Sequence, residues 1–514
     1  MVNMTTFQQQ CYRIVTDSNL SAKQKTNNLA LLAENHLPYV ELDNQTEQAL
    51  SERVICDMYE GHAPYKPRYV LPDYCLFLQQ GSTWLELEPA QDFDDALNML
   101  TIIYHHVPSV TGMPVYLGCL DTLLLPYIGN LSENDLYQRL KRFWIMLDRN
   151  LPDAFMHANI GPADNIICRL LLRIDQELKQ VAPNLTFFYD DNLTPESLLA
   201  LAIGSICQTG KPHIANYNLI ANDFDETGFG VVSCYNSLPI AGGGSTLSRI
   251  NLKEVALRSK DSHDFLTNTL PHYCQLQLKL IEARSKFLYE KSHFFTNSFL
   301  VHENLIKPDR FAPMFGIFAM AEAVNILQEK ANLAGRYGQD EQAQILALKI
   351  TEQLADFVAQ HNVTYGWHNK AMLHAQSGIS TDHGLTPGVR IPYGEEPDPV
   401  NHIMSVFAHH KYYRSGISDI LTIDETIKNN QPALLKICLA AFKLGMREFT
   451  ANVTGSDLVR VTGYMVRLSD IANFKAQGSR TNTTVLGHEA AEDRSGFLHR
   501  QPRVISHEQN MGNY

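Results

Sequence analysis

Apolar and polar residues alternate along this chain with two different periods. Four segments have apolar residues at every third or fourth position and are predicted to be amphipathic helices: 94–105, 273–294, 315–331 and 341–361. Thr194, followed by Pro195 in the first turn, predicts the start of a further helix that runs through Cys207. Short apolar stretches between helices, at 114–117 and 229–234, predict buried strands. This alternation of helix and strand favours an α/β barrel.

The chain shows no sign of division into many parts. It has no internal repeat or low-complexity block, and its prolines and glycines are scattered rather than gathered in a linker. One boundary is indicated by the Asn-Asn-Gln-Pro sequence at 429–432, which precedes a predicted helix over 432–444. We therefore predict a barrel domain over residues 1–430 and a C-terminal domain over residues 431–514.

Composition excludes several classes of partner. The 514 residues carry a formal net charge of −13, which argues against general binding to nucleic-acid phosphates. The first ten residues lack a basic segment followed by an apolar one, and the longest apolar runs, such as 198–203, are far below bilayer length. We expect a cytoplasmic protein without a nucleic-acid or membrane partner.

The cysteines are isolated from one another. Nine lie at positions 11, 56, 75, 119, 168, 207, 234, 274 and 438. Because no C-x-x-C pair occurs, the sequence predicts neither a disulfide framework nor a bound metal. Any cysteine chemistry must use single thiols that the fold brings to a site.

A glycine near the C-terminus stands in an apolar segment with the sequence Arg-Val-Thr-Gly-Tyr, in which the glycine is Gly463. An isolated glycine most often supplies a bend or a close backbone approach. Glycine is also the residue best suited to hold a backbone radical, because an α-carbon radical is stabilised when it is planar and conjugated with both flanking amides. A side chain would hinder that flattening.

A second segment places one cysteine after a predicted strand. It consists of Thr-Gly-Lys-Pro at 209–212, an intervening stretch, and residues 228–244, in which Cys234 precedes a turn rich in small residues. Such a cysteine is ordinarily a small core residue. The glycine run at 242–244 matches neither G-x-G-x-x-G nor a Walker loop, so phosphate binding is not indicated.

Together the two segments resemble the radical loops of glycyl radical enzymes, in the order found in that superfamily. The glycine segment resembles the motif of formate acetyltransferase, the glycerol- and choline-cleaving enzymes and anaerobic ribonucleotide reductase. Three further stretches extend the resemblance to the YjjI-type branch of these proteins: 111–121, 315–323 and 500–508.

This resemblance implies a homodimeric ten-stranded α/β barrel in which the cysteine and glycine loops meet inside. A radical on Gly463 would take a hydrogen atom from Cys234, and the resulting thiyl radical would abstract hydrogen from a small organic substrate under anaerobic conditions. The chain would bind no cofactor of its own. A separate radical-SAM activase, carrying an iron–sulfur cluster and S-adenosylmethionine, would install the radical.

Departures from the family pattern narrow the chemistry. Eliminases of the superfamily carry Cys-x-Glu, with the glutamate as base, whereas this chain has Asn236 there, and an amide cannot take a proton near neutrality. Formate acetyltransferase uses two adjacent cysteines, and here Ser233 precedes Cys234. Anaerobic ribonucleotide reductase has a zinc site of cysteine pairs before its glycine, which this sequence cannot form because Cys438 is the only cysteine after 274.

A loop at 386–397 supplies candidates for substrate contact, because it places charged residues among prolines and glycines. Arg390 would bind an anion, Glu395 or Glu396 could serve as the missing base, and Asn236 would lie beside the thiol. Two alternatives remain at this stage. One is a reductase or lyase acting on a nucleotide, nucleoside or sugar, as in the ribonucleotide reductases; the other is a non-catalytic relative or scaffold.

Overall fold

The structure is a computed structural model, which describes residues 4–18, 20–58, 60–107, 115–151, 155–375, 382, 384–461, 463 and 465–477. Parts of the segments used above, namely 111–114, Thr462, Tyr464 and 500–508, lie outside these residues. Within the described residues, no helix combines the length and the apolar character needed to span a bilayer.

The helices occupy the following residues: α1 Thr6–Thr16, α2 Ala22–Glu34, α3 Asn44–Ser51, α4 Tyr74–Gln80, α5 Phe93–Tyr104, α6 Leu120–Leu124, α7 Glu133–Asn150, α8 Ile166–Leu178, α9 Glu196–Thr209, α10 Tyr217–Ala221, α11 Leu252–Arg258, α12 Ser262–Asp264, α13 Leu270–Glu290, α14 Phe294–Asn297, α15 Phe299–His302, α16 Met320–Lys330, α17 Glu341–Gln360, α18 Pro399–Val406, α19 Gln431–Lys443 and α20 Leu468–Gln477.

The strands occupy the following residues: β1 Ile55–Cys56, β2 Tyr69–Leu71, β3 Tyr116–Cys119, β4 His157–Ile160, β5 Asn184–Tyr189, β6 His213–Asn216, β7 Phe229–Val232, β8 Asn236–Pro239, β9 Gly242–Asn251, β10 Phe311–Phe318, β11 Met372–His374, β12 Leu421–Ile423, β13 Glu448–Phe449, β14 Ala451–Val453, β15 Leu458–Arg460 and β16 Met465–Arg467.

Two five-stranded sheets form the body of the fold. The first has the order β13-β6-β5-β4-β3, in which β3 to β6 are parallel and β13 is an antiparallel edge strand. The second has the order β1-β9-β10-β11, with β2 also paired to β9; β9, β10 and β11 are parallel. The helices between parallel strands cover the sheets with apolar side chains, so these strands are buried along all or nearly all of their length.

A β-hairpin formed by β7 and β8 lies between the two sheets. Strand β7 contacts β3 and β4 of the first sheet, and β8 contacts β9 and β10 of the second. A second hairpin, β15 with β16, follows the C-terminal strand β14. These two hairpins carry the cysteine and glycine segments singled out in the sequence.

The sequence-predicted helices and strands occur in the structure, but three differ at their ends: α13 ends at Glu290 and not at 294, β7 ends at Val232 and not at 234, and β3 occupies Tyr116–Cys119 and not 114–117. Two further differences have a clear physical reason. The helix predicted over 315–331 is wrong in its first turn, because strand β10 continues to Phe318 and helix α16 begins only at Met320. A parallel strand buried on both faces has a continuous apolar run that resembles a helix. Thr194 does not cap α9; Pro195 is the N-cap residue, and the Thr194 hydroxyl donates to the carbonyl of Pro162.

The C-terminal part of the chain is joined to the first sheet. Helix α19 packs on α9, and β13 pairs with β6 through the register of Glu448 with Ala215. Strand β14 pairs with β12. The division into domains at residue 431 stays a prediction.

Candidate active site

The cysteine segment forms the tip of the hairpin between the sheets. Strands β7 and β8 pair from Phe229 with Pro239 to Val232 with Asn236, which leaves Ser233, Cys234 and Tyr235 as the turn. Ser233 and Tyr235 have φ angles of 56° and 64°, a left-handed conformation that non-glycine residues rarely adopt. This strained turn holds Cys234 at its centre, buried in the interior of the fold.

Side chains of strand β4 hold this hairpin in place. The Asn159 amide donates to the carbonyl of Val231 and accepts from its backbone N–H, both at 2.9 Å. His157 Nδ1 lies 3.2 Å from the carbonyl oxygen of Ser233. The position of Cys234 is therefore set by the barrel sheet and not by the turn alone.

The glycine segment forms the tip of the other hairpin, where Gly463 lies between β15 and β16. As in the first hairpin, an asparagine side chain binds the backbone of the strand that precedes the turn. The Asn452 amide donates to the carbonyl of Arg460 at 2.8 Å and accepts from the Arg460 N–H at 2.9 Å. The buried Arg460 guanidinium donates to the carbonyl of Gly210 at 2.7 Å. This contact joins the hairpin to the Thr-Gly-Lys-Pro turn.

Gly463 and Cys234 are in direct contact. A methyl group added to the Gly463 α-carbon would lie 2.0 Å from the α-carbon of Cys234, 2.6 Å from its backbone nitrogen and 2.7 Å from its β-carbon. These distances are far shorter than any van der Waals contact, so only a hydrogen atom fits on this face of Gly463. The two residues that the sequence singled out, separated by more than two hundred positions, meet inside the fold.

Asn236 lies directly after the turn, as the first residue of β8, and is buried. Its side-chain nitrogen donates to the carbonyl of Val232 at 3.3 Å, and its Oδ1 atom has no hydrogen-bond partner among the described residues. Asn236 therefore presents an amide close to Cys234, where the eliminases carry a carboxylate.

The loop at 386–397 lines a separate cavity of about 400 Å³. Arg390, Glu395 and Glu396 all line it, whereas neither Cys234 nor Gly463 is among its described lining residues. Glu395 is paired with Arg336 at 3.2 Å, and Glu396 accepts from the backbone N–H of Gly394 at 2.6 Å. Arg390 is buried and donates to the Ser418 hydroxyl at 2.9 Å. The assignment of these residues to substrate binding stays a prediction.

A buried chain of hydrogen bonds reaches the cysteine turn from the far edge of the first sheet. His157 Nε2 lies 2.7 Å from the Thr186 hydroxyl, which lies 3.0 Å from His213 Nδ1. His213 Nε2 lies 2.9 Å from Glu448 Oε2, and the other carboxyl oxygen of Glu448 accepts from the backbone N–H of Ser418. The His213 ring is also stacked on the Tyr235 ring of the turn, with centroids 3.9 Å apart.

The direction of these hydrogen bonds follows from the chemistry of their ends. The Ser233 carbonyl can only accept, so His157 Nδ1 carries a hydrogen. Burial lowers the pKa of His157 to about 3, and burial also lowers the pKa of His213 well below its ordinary value, so both rings are neutral. His157 Nε2 then accepts from the Thr186 hydroxyl, and the Thr186 oxygen accepts from His213 Nδ1. Each neutral ring therefore donates at Nδ1 and accepts at Nε2. Glu448 must then donate its own hydrogen to His213.

The pKa of Glu448 agrees with that assignment. Burial raises this pKa to about 8, and it outweighs the opposing effects of the Ser418 N–H and the Arg390 guanidinium. Glu448 is therefore a protonated acid at neutral pH. The hydrogen-bond chain runs in one direction, from Glu448 to the carbonyl next to Cys234.

Sequence reasoning missed these polar residues, although a signal for them exists. His157, Asn184, His213 and Glu448 are the first residues of β4, β5, β6 and β13, four adjacent strands of one sheet. A polar residue at the start of each buried apolar strand costs stability unless it is hydrogen-bonded. Its recurrence on neighbouring strands therefore marks a polar region inside the sheet, as expected near a site.

Stability should depend on pH through Glu448. Its pKa of about 8 lies above the usual 4.5, so the folded protein keeps a proton that the unfolded chain releases between these values. This contribution to the free energy of unfolding is complete below pH 4.5 and is lost as the pH rises through 8. In Glu448→Gln the amide donates at every pH, so we expect its melting temperature to fall less than the wild type's between pH 6 and 9. Parallel profiles for the two proteins would contradict the protonated state of Glu448.

Known proteins share this fold. A glycerol-bound B12-independent glycerol dehydratase from Clostridium butyricum superimposes with a TM-score of 0.66 at 12% identity, covering 86% of this chain and 81% of its own. The anaerobic ribonucleotide reductase from Thermotoga maritima, in complex with dATP and CTP, gives a TM-score of 0.67 at 13% identity, covering 92% and 89%. The two five-stranded sheets thus belong to the fold that these two enzymes share, which confirms the predicted α/β barrel fold class.

The family follows from sequence comparison. The family model described as glycyl radical enzyme YjjI-like matches residues 20–503. The Escherichia coli (strain K12) protein YjjI is 63% identical over 504 residues, 98% of each chain. An uncharacterized Haemophilus influenzae protein is 38% identical over 492 residues, 94% of this chain and 95% of its own. The chain belongs to the YjjI-like family of glycyl radical enzymes.

Proposed function

We propose that Gly463 stores the radical of this enzyme and that Cys234 carries it to the substrate. The observation that supports this most directly is the contact between the Gly463 α-carbon and the backbone of Cys234. A hydrogen atom transfers only between groups that are almost touching. Both residues are also buried, which keeps solvent away from a reactive intermediate.

The proposed reaction moves one hydrogen atom at each step. The Gly463 radical breaks the S–H bond of Cys234 and gains its hydrogen, which leaves closed-shell glycine and a thiyl radical. The thiyl radical then breaks a C–H bond of the substrate, re-forming the thiol and leaving a substrate radical. After the substrate radical has rearranged or reacted, the product radical takes hydrogen back from the Cys234 thiol. The thiyl radical that this leaves then takes a hydrogen atom from Gly463, which restores the glycyl radical. Because hydrogen atoms move rather than protons, the reactant is the neutral thiol and not a thiolate.

We propose a small organic molecule as the substrate. Asn236 beside the thiol cannot act as a base, so a reaction that needs a carboxylate at that position is disfavoured. Arg390 would hold an anionic group of the substrate, and Glu395 or Glu396 would exchange a proton with it. Their common cavity of about 400 Å³ would hold the end of the substrate that is remote from Cys234, because Cys234 is not among its described lining residues and the reacting C–H bond must reach the thiol.

The partners and setting are proposed from the family resemblance. A radical-SAM activase, with an iron–sulfur cluster and S-adenosylmethionine, would generate the radical on Gly463. The enzyme would work as a homodimer in the anaerobic cytoplasm, and residues 431–514 would form the glycyl radical domain. The chain itself would bind no metal. No group of three or more His, Cys, Asp or Glu side chains in the described part of the chain is arranged to hold one.

Oxygen provides the experiment that tests this proposal. Dioxygen adds to a carbon-centred backbone radical, and the peroxyl product breaks the chain at that residue. Activated enzyme exposed to air should therefore give one large fragment and one of about fifty residues, while enzyme that was never activated stays whole. Mass spectrometry of the fragments locates the break. A break at Gly455 or Gly478, the neighbouring glycines in the sequence, would contradict Gly463 as the radical site.

A further inference from the structure

The carbonyl group of Gly463 accepts a hydrogen bond from the barrel sheet. Asn184 Nδ2 donates to the Gly463 oxygen at 3.0 Å. Asn184 is fully buried, so water does not compete for this contact. The bond connects the turn that holds Gly463 to strand β5, a different element from the hairpin of Cys234.

The donor is fixed by the sheet. Asn184 is the first residue of β5, and its backbone N–H donates to the carbonyl of Met156 at 2.8 Å. In the register of β4 with β5 it lies opposite His157, which binds the carbonyl of Ser233. Two neighbouring positions of one sheet edge thus bind the two hairpin tips, one at the glycine and the other beside the cysteine.

A hydrogen bond at this oxygen acts on the electrons of the radical. An unpaired electron on the Gly463 α-carbon is shared with the amide nitrogen, which donates electron density, and with the carbonyl group, which withdraws it. A donor at the carbonyl oxygen increases that withdrawal, and it holds the peptide plane in the orientation that conjugation needs. Neither effect acts on a sulfur-centred radical at Cys234, because that electron is not conjugated with the Gly463 amide.

We infer that Asn184 is a catalytic residue, which stabilises the radical on Gly463 relative to the thiyl radical on Cys234 by donating a hydrogen bond to the Gly463 carbonyl. The inference rests on the proposed function. Asn184 would thereby set the fraction of time that the unpaired electron spends on Gly463 rather than on the Cys234 sulfur. The hydrogen bond is present in both states and is stronger when the radical is on Gly463. Its removal should therefore shift the equilibrium between the two radicals towards sulfur by up to about 10-fold, the full net contribution of one buried hydrogen bond.

Hydrogen exchange measures this equilibrium without a substrate. The Gly463 radical retains one α-hydrogen, which splits its electron paramagnetic resonance signal into a doublet. In D2O the Cys234 thiol becomes S–D, and each return of the radical to sulfur can place deuterium on Gly463. The doublet then collapses to a single line, at a rate that rises with the population of the thiyl radical.

The experiment compares full-length variants activated anaerobically and transferred to D2O. Asn184→Leu removes the donor at similar volume, and its doublet should collapse faster than the wild type's, by up to about 10-fold. Asn184→Asp keeps the shape; because only its protonated form donates, the collapse should accelerate as this carboxyl ionises. This step is absent from the wild type because Asn184 does not ionise, whereas ionisation of Glu448 affects both proteins alike. Thr351→Val serves as the control. Thr351 lies on helix α17, away from both hairpins, and this substitution removes its buried hydrogen bond to His409.

Each outcome has one meaning. Faster collapse in Asn184→Leu, with a wild-type rate in Thr351→Val, supports the role of Asn184. A wild-type rate in Asn184→Leu that still shows the doublet overturns it. If the leucine variant does not fold, a rate without a pH step in Asn184→Asp overturns it equally. Absence of any doublet in the activated wild type refutes the proposed function instead, so the two failures are distinguishable.

Discussion

Gly463→Ala should yield no glycine-centred radical after full activation. The added methyl group would lie 2.0 Å from the Cys234 α-carbon, and no side-chain rotation relieves a collision with backbone atoms. The hairpin tips must separate, at a cost of about 1–3 kcal/mol in the free energy of unfolding. A side chain at this α-carbon also hinders the planar geometry that stabilises the radical. Electron paramagnetic resonance of the activated variant beside the wild type measures the radical, and thermal unfolding measures the packing cost.

Gly129→Ala provides the matched control. Its added methyl group would meet no atom within 4 Å, although its φ of +51° makes alanine mildly unfavourable. This variant should form the radical at the wild-type level. A wild-type signal in Gly463→Ala would show that Gly463 is not the storage site, and loss of the signal in both variants would contradict the specific role assigned to position 463.

Cys234→Ala should retain the glycine-centred radical and lose every later step. Storage requires only Gly463, whereas the transfer to substrate requires a thiol in contact with it. The substrate-independent result is that the doublet of this variant no longer collapses in D2O, because no exchangeable hydrogen reaches the radical. Turnover of any substrate found later should likewise fall to background.

Cys274→Ala tests whether this effect is specific. Cys274 is a buried cysteine of helix α13, so its removal causes a similar loss of packing without touching either hairpin. The doublet should collapse in this variant at the wild-type rate. Collapse that persists in Cys234→Ala would mean that another thiol carries the hydrogen.

The radical residues could be predicted from sequence because their chemistry constrains short segments. A glycine in Arg-Val-Thr-Gly-Tyr and a cysteine after a buried strand are local patterns, and the resemblance to a known superfamily gave them a common function. The contact between Gly463 and Cys234 depends on the whole barrel. Asn159 and Asn452, which bind the backbones of the two hairpins, are polar residues in short buried strands, and nothing in their immediate sequence shows what they bind.

The end of strand β10 and the role of the loop at 386–397 could not be predicted from the local sequence, for different physical reasons. Strand β10 is buried on both faces, so its apolar run up to Phe318 could not be separated from the helix that follows it. The loop at 386–397 has the composition of a site, but its glutamates are bound to Arg336 and to the Gly394 N–H. Composition shows that a loop carries charged side chains. Which partner each side chain binds depends on contacts with residues far away in the sequence.

The most direct test of the account is electron paramagnetic resonance of enzyme labelled with glycine deuterated at the α-carbon. Unlabelled, activated enzyme should give a doublet from the one α-hydrogen that remains on Gly463. Labelled enzyme, prepared and measured in H2O within a time too short for exchange, should give a single narrow line instead. A radical signal whose splitting is the same in both samples would place the unpaired electron on a residue other than glycine, and it would contradict storage of the radical on Gly463.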